Sequence, residues 1–385
     1  MKLLIYQWNS YFQYDIYAIC RESGITFQVF EWKFESKNRD DGFRNWFRNN
    51  IKKNEFDAVL SVNYFPVISE VCMEQGLKYI AWCYDNPLNV ERIEETLGNP
   101  VNYVFVFDKV QFWQYAKAGF ETVYYLPLGV NATRLSKLKV SEADYQKYAA
   151  EVTFIGNLYA SELQGIMGPL NDYTKGYLKS LMDLQSQIYG YYLFDECITE
   201  ELIKDINQQY LCQNPNTKLQ ISKEALSFAM ASEVTRKERL LLLNLCGRRY
   251  STKFYSYDDC EAVQNVIKCG SVDYVTEMPK VFACSKINLN PSLRIIQSGI
   301  PLRALDIMGC GGFLLSNYQQ ELAEYYVNEE DMVIYESMED AIAKIDFYLK
   351  HEELRCKIAE NGRRKTLEEH SMQVRMAQIF DAVGI

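Results

Sequence analysis

Residues 285–320, SKINLNPSLRIIQSGIPLRALDIMGCGGFLLSNYQQ, constrain the fold of this chain more than any other stretch. They read as a strand over Lys286 to Asn290, a polar loop, a helix opened by Pro301, a glycine break at Gly311 and Gly312, and a second strand over Phe313 to Ser316. That order aims a helix N-terminus at the space beyond the end of a parallel sheet. Free backbone amides and the helix dipole there favour an anion such as a pyrophosphate. Pro301 suits the first helical position, where its missing N–H costs nothing and its φ is already set. Gly299 just before it lets the backbone come close to a ligand. Asp306, expected on the exposed end of the same helix, is placed as an acidic partner for ribose hydroxyls. The same pattern also fits any βαβ unit of an α/β protein.

Two series of short apolar runs alternating with amphipathic segments predict two parallel sheets, each covered on both faces. The first series places strands near Lys2 to Gln7, Phe27 to Phe30, Asp57 to Val62, Tyr79 to Cys83, Tyr103 to Phe107 and Thr122 to Leu126. Leu126-Pro127-Leu128-Gly129 punctuates the chain and marks a domain junction. The second series runs through Glu151 to Ile155, Lys253 to Tyr257, Asp273 to Val275, Ile287 to Asn290, Phe313 to Ser316 and Met332 to Tyr335. A mostly helical stretch at about 158–247 interrupts it, with a Tyr-rich part (Tyr173, Tyr177, Tyr189, Tyr191, Tyr192) and a periodic helix around Lys223 to Leu245. It reads as a helical insertion, with an acceptor or partner surface as the alternative. The expected domains are 1–130 and 131–365, followed by a terminal segment 366–385 within a final helix over Glu352 to Phe380. Ligands of such sheets sit beyond the carboxyl ends of the strands, so two facing sheets can share one cleft.

A chain of 385 residues is long enough for two cores. Its net charge of −10 argues against a nucleic-acid or anionic-membrane surface. The basic runs Arg236 to Arg239 and Arg248-Arg249 read as solvated helix faces, with a phosphate role as the alternative. The 11 cysteines include no close Cys-x-x-Cys pair, which excludes a zinc framework. The start, MKLLIYQWNSYFQYD, reads as a strand rather than a signal peptide, and no apolar run reaches the ~18 residues that span a bilayer. A cytoplasmic protein with reduced thiols is expected.

The run GIPLRALDIMGCGGFLLSNYQQELAEYY and the tail ENGRRKTLEEHSMQVRMAQIF resemble the C-terminal half of the CgeB-like (spore maturation protein) glycosyltransferases, which belong to the group 1 glycosyltransferases of GT-B fold. Arg303, Asp306, Gly311, Gly312, Glu321, His370 and Arg375 occupy the places of the family pattern. The likeness is strong over about residues 240–385 and looser in AWCYDNP (81–87) and YLPLGVN (125–131); residues 158–235 have no counterpart. The resemblance implies an α/β protein of two Rossmann-like domains facing across a cleft, with the C-terminal helix crossing back to the first. The first would be the acceptor domain and the second the nucleotide-sugar donor domain.

Transfer from a nucleotide sugar leaves a diphosphate whose charge must be stabilised. The chain contains no Asp-x-Asp, and Asp258-Asp259 reads as a helix cap, so neither a metal nor another cofactor is expected. The amides around Gly299 to Leu302, with the guanidinium of Arg303 or Arg294, are expected to hold the diphosphate, and Ser298, Ile300 and Pro301 are counted in the same donor site. The resemblance also implies a phosphate-facing turn at Gly156-Asn157, a base read by backbone at Tyr274-Val275, and Asn290 and Asp306 in the same donor site. Group 1 enzymes often carry two glutamates eight positions apart; here Asp306 fills the second place and Ser298 the first, which leaves the stereochemical outcome and the sugar open. Asp85, on a loop at a strand's carboxyl end before Pro87, is the candidate base, and an Asx-turn role is the alternative. Trp8, Asn9, Ser10, Asp15 and Asn86 are the candidate acceptor side. His370 reads as a structural hydrogen-bonding residue. The expected function is transfer of a hexose or N-acetylhexosamine, most simply from UDP, to a hydroxyl of a protein or surface glycan. A non-catalytic nucleotide-sugar-binding subunit and an epimerase on the same frame are the alternatives. Oligomeric state stays open.

Overall fold

The computed structural model describes residues 1–52, 54–88, 90–159, 162–258 and 260–385. The chain divides into two compact units. The first is Met1–Lys137 with Ser298–Gly309 and Arg364–Ile385; the second is Leu138–Gln297 with Cys310–Arg363.

The first unit is built on six parallel strands: β1 (Lys2–Gln7), β2 (Thr26–Glu31), β3 (Ala58–Val62), β4 (Lys78–Trp82), β5 (Asn102–Val106) and β6 (Val123–Tyr125), in the order β2-β1-β3-β4-β5-β6. Every residue of β3 is buried, the mark of a strand covered on both faces, whereas the edge strand β2 is largely exposed. Because β2 and β3 flank β1 on opposite sides, the chain reverses direction across the sheet at β1. A crevice therefore opens at the carboxyl ends of β1 and β3.

The second unit has six parallel strands in the order β12-β11-β10-β7-β8-β9. They are β7 (Ala150–Ile155), β8 (Thr252–Tyr255), β9 (Ile267–Lys268), β10 (Ser285–Asn290), β11 (Leu314–Asn317) and β12 (Val333–Tyr335). Here the reversal falls between β7 and β10. The stretch between β7 and β8 is helical as expected. Its long helices Asp172–Gln187, Glu200–Gln213 and Lys223–Gly247 each open on a side chain, Asn171, Thr199 or Ser222, that accepts an amide of the first turn. These helices enclose an apolar core of their own around Leu178, Phe194, Ile206 and Met230.

Three local expectations are corrected. Asp273 to Val275 is a turn, because the Asp273 carboxylate accepts from Val275 N (3.1 Å) and Thr276 N (2.7 Å) and bends the chain. The strand beside β8 is instead β9, two exposed residues too short to register as a pattern. The final helix is two helices, Glu352–Glu369 and Met372–Val383, since Ser371 bridges to Val130 and caps the second through Val374 N. Asp258 starts no helix: its carboxylate accepts from Leu158 N at 2.5 Å and so fastens the loop after β7; Asp259 lies outside the described residues. Among the described residues no helix is long and apolar enough to cross a membrane.

Candidate active site

A cavity of ≈ 510 Å³ occupies the β1/β3 crevice of the first unit, with Trp8, Trp32, Phe34, Phe65, Asn63 and Asp85 in its lining. The strand ends determine this composition: Trp8 follows β1, Asn63 follows β3, and Asp85 lies three residues past β4. Asn63 takes the left-handed conformation (φ 64°), which asparagine tolerates and which turns its side chain toward the next strand's loop. Its amide Oδ1 accepts from Tyr84 N (3.0 Å) and Asp85 N (3.3 Å), while its Nδ2 donates to Asp85 Oδ2 (2.6 Å). One side chain therefore holds both the backbone and the carboxylate of Asp85. Burial raises the Asp85 pKa above its ordinary value, with the Asn63 hydrogen bond and the Lys37 charge acting in the opposite direction. The sequence reading missed Asn63, although an asparagine directly after an apolar strand (SVNYF) is a left-handed turn signal.

Trp8 is fixed by donation from Nε1 to Val62 O (2.8 Å) and lies parallel to Tyr84. Asn9 is exposed and Ser10 buried; both border a smaller hollow of ≈ 200 Å³ beside the main cavity. Asp15 is occupied elsewhere: Arg134 donates to both its oxygens (2.8 and 2.6 Å), and Asn131 adds a third bond (2.9 Å). A carboxylate held by an arginine fork is committed to the fold and not turned to a ligand.

Asp108, absent from the sequence reading, gathers several candidates. Its fully buried carboxylate caps the helix Lys109–Lys117 and accepts from Ser298 N (3.1 Å), Ser298 Oγ (2.8 Å), Gly299 N (3.2 Å) and Asn86 Nδ2 (3.1 Å). The amides of Ser298 and Gly299 are thus committed to a protein carboxylate. The close approach that Gly299 permits is to Phe107, whose ring would lie 2.7 Å from an added Cβ. Beyond them Ile300 is buried, Pro301 is half-buried and immediately precedes the helix Leu302–Gly309, and Arg303 is half-buried in its first turn. Asp306 is 3% exposed, a correction to the expected exposed position. We expect Asp108→Ala to destabilise the protein by about 3–5 kcal/mol, because several buried donors lose their acceptor together. Urea unfolding measures this, and a loss under about 1 kcal/mol would contradict it.

His370, fully buried, meets Arg375 Nη2 at Nδ1 (3.0 Å) and has its pKa pushed down to about 3, first by burial and then by that guanidinium. It is a neutral structural residue at pH 7.

In the second unit Gly156 follows β7 with φ 154°, and its N–H donates to Tyr255 O (3.0 Å). Asn157 is exposed, and its carbonyl accepts from the Arg239 guanidinium. Arg239 also donates to Pro291 O through Nε (3.1 Å) and Nη2 (2.7 Å). It therefore ties the ends of β7 and β10 together at the switch point, although it is buried and not part of a solvated face. Asn290 ends β10 fully buried, donating to Ser292 and Ser316 hydroxyls, while its Oδ1 has no partner among the described residues. Arg294 is turned into a network with Glu238 (Nε to Oε2, 3.0 Å), and its guanidinium lies 3.9 Å from the Tyr189 ring centre. Tyr274 and Val275 sit half-buried in the Asp273 turn. The structure thus brings Asn157 and Asn290 to one sheet edge and directs Arg294 into the interior.

Residues 230–381 match the glycosyl transferase-like family. The chain has the GT-B fold. The fold is that of HepE from Anabaena, solved with UDP-glucose (TM-score 0.55, 10% identity, covering 100% of this chain and 99% of that one). It is also that of sucrose-phosphate synthase from Thermosynechococcus elongatus (0.53, 12%, 100% and 99%) and of a glycosyltransferase from Rickettsia africae (0.54, 9%, 99% and 97%). No curated protein matches the chain significantly.

Proposed function

We propose that the protein transfers a sugar from a nucleoside diphosphate sugar, most simply UDP-hexose or UDP-N-acetylhexosamine, to an acceptor hydroxyl without a metal, with Asp85 as the base. The observation that carries this reading is the Asp85–Asn63 pair, in which one asparagine donates to the carboxylate and accepts from the Tyr84 and Asp85 amides, on the wall of a cavity at a topological switch point. Burial favours proton uptake by such a carboxylate, which suits a general base. The donor side is assigned to Gly156, Asn157, Tyr274, Val275 and Asn290 at the strand ends of the second unit. Ile300, Pro301, Arg303 and Asp306 at the helix Leu302–Gly309 are assigned to it as well. Ser298, Gly299 and Arg294 support it indirectly through the contacts described. UDP-glucose bound in the HepE structure supports UDP as the base-bearing half of the donor.

Thermal unfolding with UDP, GDP, ADP and CMP, each with and without magnesium, tests the reading. UDP at 100 times its Kd is expected to stabilise by about 2.7 kcal/mol whether or not magnesium is present. A shift that requires magnesium would refute metal independence, and no shift with any nucleotide would refute the donor assignment.

A further inference from the structure

We propose that the acceptor is a neutral oligosaccharide of at least two sugar rings, the reacting ring in the cavity beside Asp85 and the preceding ring in the smaller hollow lined by Trp8 and Tyr14. The inference rests on the reading of the larger cavity as the acceptor site. The cavity of ≈ 510 Å³ and the hollow of ≈ 200 Å³ share Gln7, Trp8 and Glu31 in their linings, so a ligand reaching both passes across these three residues. A single ring bound beside Asp85 would leave the hollow unfilled.

A run of hydrogen bonds fixes the buried side of the hollow. Gln13 Nε2 donates to Tyr6 O (2.6 Å) and Tyr17 OH (2.9 Å), Tyr17 OH donates to Gln7 Oε1 (2.9 Å), and Gln7 Nε2 donates to Glu31 Oε1. Groups open to a ligand stand beside it. The Asn9 amide, the Tyr14 hydroxyl and the second carboxylate oxygen of Glu31 have no hydrogen-bond partner among the described residues, and all three residues are exposed. Donors and acceptors set beside the rings of Trp8 and Tyr14 match a pyranose, which presents hydroxyls at its rim and C–H groups on its face.

The charges of the lining fit a neutral ligand. In the cavity Glu31 and Asp85 stand against Lys33 and Lys37, and the Lys37 charge acts on the Asp85 carboxylate; the hollow adds no cation among the described residues. An anionic sugar spanning both spaces would meet Glu31 where they join, with no cation in excess to offset it. A serine or threonine side chain would reach the cavity but bring no ring to the hollow.

Quenching of tryptophan fluorescence reports both spaces, since Trp8 lines each of them. The full chain, saturated with UDP, is titrated with glucose, N-acetylglucosamine, maltose, cellobiose, diacetylchitobiose, cellobiouronate and a serine-containing peptide. At least one neutral disaccharide is expected to bind about tenfold more tightly than its own monosaccharide, the worth of one or two added hydrogen bonds. Cellobiouronate is expected to bind no more tightly than cellobiose. Tyr14 is 64% exposed, so Tyr14→Ala removes a surface ring and is expected to erase the preference for two rings while the UDP-induced thermal shift stays unchanged. Disaccharides that bind no more tightly than their monosaccharides would overturn the proposal, as would a preference that survives Tyr14→Ala. Tighter binding of cellobiouronate than of cellobiose, or binding of the peptide alone, would overturn it too. No response to any sugar would overturn it together with the acceptor reading, and a missing UDP shift in the same sample would instead count against the donor reading.

Discussion

Asp85→Asn is expected to lower kcat by about 10²–10⁴-fold while leaving the UDP-induced thermal shift intact, because the substitution keeps the shape of the side chain and removes its proton affinity. The pH profile separates this role from a turn-forming one. Since burial raises the Asp85 pKa, the acid limb of kcat/KM should lie above the ordinary carboxylate range, and activity should fall as pH drops through it. Asn63→Ala removes the hydrogen bond that favours the charged carboxylate, so the same limb should move to higher pH. Turnover of Asp85→Asn within threefold of wild type would transfer the base role to another group. A limb unmoved by Asn63→Ala would show that Asn63 does not set the protonation of Asp85.

Glu238→Ala is expected to cost about 3–5 kcal/mol of stability, because it strands a buried guanidinium. Glu238 and Arg294 are 4% and 5% exposed at their side chains and 2.9 Å apart. The other carboxylate oxygen accepts from Tyr189 (3.1 Å) and Tyr335 (2.9 Å). Arg294→Ala should cost a similar amount, having stranded the carboxylate instead. If Arg294 faced the donor diphosphate, its removal would weaken UDP binding and barely change the urea midpoint. Urea unfolding and UDP titration of the two variants distinguish the alternatives.

Repetition made the architecture legible. Eleven of the expected strands overlap observed ones because parallel strands covered on both faces are continuous apolar runs, as in Val59, Leu60, Ser61 and Val62. The helical insertion was legible through its caps and period. Features that depend on distant partners were not. A helical pattern from Glu352 onward continues through His370 and Ser371, and only the bridge to Val130 breaks it. Asp273 looks like a strand residue until its carboxylate folds back on its own amides. Arg294 and Asp15 were reasonable ligand candidates by residue type, but each has a charge partner 56 or 119 positions away, a separation that no local pattern encodes. Asn63 and Asp108 were overlooked for the converse reason: their importance lies in what converges on them.

The convergence on Asp108 has a consequence for biosynthesis. Its partners Ser298 and Gly299 are 190 and 191 positions downstream, and Lys78 donates to the carbonyl of Val383, 305 positions away. The first sheet is therefore synthesised well before the segments Ser298–Gly309 and Arg364–Ile385 that belong to the same unit. Until residues 298 and 299 have been made, the nascent chain carries the Asp108 carboxylate without two of its donors, and Lys78 waits longer still for the carbonyl of Val383, an interval in which the first unit is open to off-pathway association.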